Sequence, residues 1–138
     1  MSKISEKLKA KIRRQAKNRC GYCLLPQFLN PSLLEIEHLH ATANGGTDEE
    51  ENLWIACRLC NGYKNIQSEA VDYKTNQKVL IFNPRTQDWN EHFEWKNEKI
   101  VGKTPCGRAT VKALKLNNEI ILSVKKKWIS AGWFPPND

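Results

Sequence analysis

Four cysteines fall into two pairs, Cys20-x-x-Cys23 and Cys57-x-x-Cys60. Each CxxC turn presents two sulfurs to one side, so two such turns can close a tetrahedral zinc site. Two redox motifs are the other reading, and paired occurrence favours zinc. With four thiolates the site would be saturated, and the Zn²⁺ a structural staple. The 33 residues between the pairs are more than a small zinc ribbon needs, so something is built inside the gap. What stands there is Glu37-His38, then Asn52, followed past Cys57 by Asn61 and Lys64. A carboxylate beside an imidazole, with an amide and an amine on the next element, can hold a hard divalent ion and set a neutral His beside a water. Those are the parts that metal-assisted phosphodiester hydrolysis requires. His40 is a rival base. Taken singly, Asn52 and Asn61 would read as cap or turn residues and Lys64 as a solvated helix residue.

These groups need elements to carry them. Leu33–His38 reads as a short strand between Pro31 and the turn Asn44-Gly45-Gly46. Leu53–Ala56 reads as a second strand running into Cys57, and Arg58 to Gln67 as a short helix. The order is strand, Gly-rich loop, strand, helix, a ββα unit. Upstream, Ile4, Leu8, Ile12 and Ala16 recur every four residues. They predict an amphipathic helix that docks one stripe, shows a cationic face and stops near Asn18–Gly21. Downstream, Val79–Phe82 reads as a strand. Phe93 and Trp95 alternate before a turn near Asn97-Glu98 and Lys99–Val101, a hairpin. Helices are expected at Arg108–Asn117 and Ile120–Ala131, the latter stopped by Gly132.

The register of both CxxC pairs, Glu37-His38, Gly45-Gly46, Asn52-Leu53 and Cys60-Asn61-x-x-Lys64 resembles the HNH endonuclease family, in the version whose ββα-metal core is braced by a four-Cys zinc site. The resemblance implies His38 as general base and Asn52 as the residue that braces its loop. It implies Glu37 and Asn61 as ligands of one catalytic Mg²⁺ or Mn²⁺, and Lys64 as a phosphate or transition-state contact. Cleavage would leave 5′-phosphate and 3′-hydroxyl ends. Glu37 stands where the family more often has Asp, and His40-Ala41 where an apolar residue and Pro are frequent. Asn83-Pro84-Arg85, Trp89-x-x-His92-Phe93-x-Trp95, Gly107-Arg108-Ala109-Thr110 and Trp133-Phe134-Pro135-Pro136 resemble an extension on some bacterial, notably cyanobacterial-type, members. The aromatics there signify core before base stacking. His92 and Cys106 read as structural. Arg85, Arg108 and Lys125-Lys126-Lys127 read as candidate phosphate contacts.

The net charge of +7 is uneven: residues 1–19 carry +7, 20–71 carry −5 and 72–138 carry +5. A basic flank attracts a polyanion through counterion release. Lys11, Arg13, Arg14, Lys17 and Arg19 are therefore the expected DNA contacts, and double-stranded DNA the expected partner. No stretch approaches a membrane span, and the polar N-terminus is unlike a secretory signal, so a cytoplasmic location with reduced thiols is expected. The expectation is an α+β protein: an HNH nuclease core with its basic helix over 1–70, and a hairpin-plus-helices extension over 71–138. The rival is a zinc-containing DNA-binding module without cleavage. A place in a larger nucleic-acid-processing assembly is left open.

Overall fold

The computed structural model describes residues 4–136. Helix α1 spans Glu6–Gln15, its start capped by the Ser5 hydroxyl, which accepts from the Leu8 amide at 3.1 Å. Its stripe docks as the spacing requires: Ile12 and Ala16 are buried, with Ile4 and Leu8 packed against the same core. The helix stops a little before the expected Asn18–Gly21, because Lys17 and Asn18 both take positive φ. The chain then turns back through Cys20–Cys23, where the Gly21 amide bonds the Ile55 carbonyl.

Strands β1 (Glu35–His38) and β2 (Leu53–Ala56) pair antiparallel, Glu37 opposite Trp54 and His38 opposite Leu53. Helix α2 (Arg58–Lys64) follows at once, its N-cap the Cys57 sulfur accepting from the Cys60 amide. It ends before the expected Gln67, since Asn65 takes φ 50°. The ββα unit is therefore present, with a slightly shorter first strand and helix.

Strands β3 (Glu69–Val71) and β4 (Lys78–Leu80) form a hairpin. Only its second strand, shifted by a residue or two, was expected. One helical turn, α3 (Trp89–His92), leads into the hairpin of β5 (Phe93–Lys96) and β6 (Lys99–Gly102). Helices α4 (Pro105–Ala113) and α5 (Glu119–Ser130) close the described chain. Thr104 caps α4 from before Pro105, which is why it starts ahead of the expected Arg108. The protein is α+β.

One core runs through both halves. Ile12, Tyr22, Leu34 and Ile55 share it with Phe82, Trp89, Phe93 and Phe134. The Trp89 indole donates to the Tyr22 carbonyl at 2.8 Å, and Tyr22, Phe82 and Phe93 meet edge to face. The expected division at residue 70 falls inside β3. No helix among the described residues is long and apolar enough to cross a membrane.

Candidate active site and metal centre

Cys20 and Cys23 lie on the turn after α1, Cys57 and Cys60 at the start of α2, and all four are buried. Their sulfurs lie within 4.8 Å of one another, with Cys23 and Cys57 at 3.8 Å. Tetrahedral coordination with Zn–S bonds of ~2.3 Å separates sulfurs by about 3.8 Å, so the cluster fits a zinc ion. Hydrogen bonds from Cys20, Cys23 and Cys60 push Cys57 far down, while hydrogen bonding with Cys20 and the other thiols pushes Cys60 up. Among the described residues no second group of three or more His, Cys, Asp or Glu side chains converges in this way.

Glu37 and His38, adjacent in β1, face opposite ways. Glu37 points inward and is 2% exposed. Both its oxygens accept from the Tyr22 hydroxyl, at 2.7 and 2.8 Å, and one lies 2.9 Å from Lys64 Nζ. Burial pushes the Glu37 carboxyl up, and Lys64 and Tyr22 hold it down. Burial, followed by the Glu37 charge, raises the Tyr22 phenol well above its ordinary value, so it stays a donor. Lys64, also 2% exposed, donates further to the His38 and Leu39 carbonyls, at 3.2 Å each. The expected phosphate contact at Lys64 is thus corrected to an interior one. The end of α2 packs its amine under the end of β1, where it anchors the strand.

His38 points the other way and is partly exposed. Its Nε2 lies 2.6 Å from Asp48 Oδ1. A carboxylate there accepts the Nε2 proton and leaves the Nδ1 lone pair available. Asp48 sits on a loop that Asn52 laces shut. The Asn52 amide oxygen accepts from the His40 amide at 2.8 Å, and its nitrogen donates to the carbonyls of His40 and Thr47, at 3.0 and 2.7 Å. Gly45 turns the loop at φ 93°, and a Cβ on Gly46 would collide with the His40 carbonyl, so the loop admits no side chain there. His40, the rival base, spends Nε2 on the Asn44 carbonyl at 2.8 Å. Asn61 meets Glu35, its Nδ2 donating to Oε1 at 2.8 Å.

Residues 20–67 match the family model described as HNH endonuclease. This segment is an HNH domain. The match covers about a third of the chain, and it begins at the first metal-site cysteine. No curated protein and no solved structure matches the chain.

Within the HNH domain the structure gathers His38, Asn52 and Lys64 around the end of β1. It does not join Glu37 to Asn61. As arranged, the two do not fit a divalent ion between them: Glu37 is filled by a phenol and an amine, and Asn61 is turned to Glu35. Tyr22, Glu35 and Asp48 escaped the sequence reading. Glu35 carried a signal, since two residues along a strand from Glu37 it shares that face. The contacts of Tyr22 and Asp48 depend on how the chain folds back.

Of the basic residues near the N-terminus, Lys3 lies outside the described residues. Lys11 pairs with Glu50 at 2.9 Å and Arg13 donates to the Leu34 carbonyl. Lys17 and Arg19 also have interactions within the protein. Arg14 is exposed. Arg85 and Arg108, read as phosphate contacts, are corrected to internal ties. Arg85 clasps the Leu53 carbonyl and lies over Trp54, and Arg108 grips Asp72 at 2.8 and 2.9 Å. Lys125 is corrected likewise, being fully buried while Lys126 and Lys127 are exposed. His92 is structural, its Nδ1 2.7 Å from the Thr104 hydroxyl.

Proposed function

We propose that the protein is an endonuclease that hydrolyses phosphodiester bonds in double-stranded DNA, with His38 as general base and a structural zinc on Cys20, Cys23, Cys57 and Cys60. The observation that carries this reading is the 2.6 Å contact between His38 Nε2 and Asp48 Oδ1. With the ring proton on Nε2 donated to Asp48, Nδ1 of this partly exposed ring, inside an HNH domain, is the nitrogen that serves as base. Nδ1 accepts a proton from water as the water oxygen attacks phosphorus. The bond from phosphorus to the 3′ oxygen breaks, and that oxygen takes a proton from solvent, leaving 5′-phosphate and 3′-hydroxyl ends. General-base assistance of this kind contributes roughly 10²–10⁴-fold. Asn52 supports the base through the loop that presents Asp48, and Lys64 supports it from beneath through the His38 carbonyl. Family likeness implies Mg²⁺ or Mn²⁺ as catalytic ion. The ligand arrangement of Glu37 and Asn61 does not build its site here, so the steps above belong to the protein's own groups. Lys11, Arg13, Arg14, Lys17 and Arg19 remain the proposed DNA-facing residues.

A supercoiled plasmid incubated with the protein and with its His38→Ala variant, in EDTA, Mg²⁺ or Mn²⁺, tests the proposal. Nicking that disappears in the variant is the expected result, and the EDTA, Mg²⁺ and Mn²⁺ arms show whether an ion takes part. Equal cleavage by the variant would remove His38 from its role. Binding without cleavage under every condition would favour a DNA-binding module.

A further inference from the structure

Lys125, in the middle of α5, is 0% exposed, and its Nζ has no hydrogen-bond partner among the described residues. A buried charge without a partner is strongly penalised, and native proteins rarely keep one without a reason. Two aromatic faces stand beside it: Nζ lies 5.1 Å from the Trp95 ring centroid and 5.6 Å from that of Phe134. They suit a cation but carry no net charge. The same side of α5 covers the cysteine cluster. Ile121, one turn before Lys125, lines a small cavity with Cys23, Cys57 and Cys60, and Val124 and Trp128 line a neighbouring groove with Cys57. Burial pushes the Lys125 ammonium down, and negative charge on the cysteines, Cys23 first, would push it back up. Among the described residues no carboxylate pairs with it.

We propose that Lys125 is the counter-charge of the tetracysteine zinc site, acting across the aromatic box rather than by a hydrogen bond. Four thiolates around Zn²⁺ leave a net charge of −2 inside the protein. In that low-dielectric setting charges attract over longer distances than they do in water. The metal-bearing HNH domain and α5 thereby stabilise each other, and metal loading and docking of the C-terminal helix become linked. This rests on the zinc assignment made above.

The test compares zinc affinity of the full chain, as wild type, Lys125→Met and Lys125→Arg, by competition with a chromophoric chelator, beside urea unfolding of the metal-free forms. Methionine keeps the volume and removes the charge. Lys125→Met is expected to bind zinc about tenfold more weakly, while its metal-free form is at least as stable as metal-free wild type. Lys125→Arg is expected to keep most of the affinity. A residue that merely filled space would show the reverse, with lower metal-free stability and unchanged zinc affinity, and that overturns the proposal. If Lys125→Met does not fold, ¹⁵N NMR of the Lys125 side chain in zinc-loaded wild type decides. A protected ammonium at neutral pH supports the proposal and a neutral amine overturns it. Wild type without stoichiometric zinc would remove the zinc assignment itself, which the affinity of the variants cannot do.

Discussion

At the scale of single residues, the site is set by who accepts and who donates. Asp48 Oδ1 lies 2.6 Å from His38 Nε2, and in the proposed mechanism it keeps the ring proton there. Asp48→Asn can donate as well as accept, so it no longer enforces that tautomer. The expected result is a fall of roughly 10²-fold or more in kcat with KM little changed, measured by single-turnover cleavage. A change confined to KM would show that Asp48 meets the substrate instead. Lys64 and Glu37 form a buried pair, 3% and 1% exposed at their side chains. Removing one partner leaves the other charge buried, so Lys64→Met should lower stability by about 3–5 kcal/mol. Urea unfolding reads this directly, and a loss below ~1 kcal/mol would mean that Tyr22 alone satisfies Glu37.

Between elements, the β3–β4 hairpin is held to α4 by Asp72. Its carboxylate caps the hairpin turn at Lys74 and Thr75 and takes both nitrogens offered by Arg108. The Arg108 guanidinium holds the Asp72 carboxyl well below the usual range. A depressed acid stabilises the fold above its unfolded value, ~3.9, and loses that contribution as pH falls toward the folded value. Asp72→Asn should therefore be less stable than wild type at pH 7, with the gap closing as pH falls from 4 to 2. Unfolding midpoints across that range check it; a gap constant with pH would assign the contribution to shape rather than charge.

Across the whole molecule, charge is segregated: the middle is acidic and both flanks are basic. If DNA lies along α1, its exposed cations carry part of the salt dependence. Deleting the helix would remove Ile12 from the core, so substitution is the cleaner probe. Lys7 and Arg14 are exposed. Changing both to Gln should reduce the log–log salt slope of DNA binding by about one to two. An unchanged slope would move the DNA face elsewhere, toward Lys126 and Lys127.

How much was legible beforehand follows from the range of the interactions. The two CxxC pairs, the ββα order, the docking stripe of α1 and the β5–β6 hairpin rest on local spacing and periodicity, which a chain displays before it folds. Helix ends at Gln15 and Lys64 were set by positive-φ residues just beyond them, which leave weaker marks. β3 was missed because three residues with one small apolar centre, Glu69-Ala70-Val71, show no alternation. The sequence alone determined which residues could take part in chemistry: a four-thiol site, Glu37-His38 and Asn52. Only the tertiary structure decided their partners, sealing Glu37 with Tyr22 and Lys64 and giving His38 to Asp48, and it buried Lys125 beside Trp95 and Phe134. Those choices depend on contacts between residues distant in the chain, where burial raises the penalty for every unpaired charge.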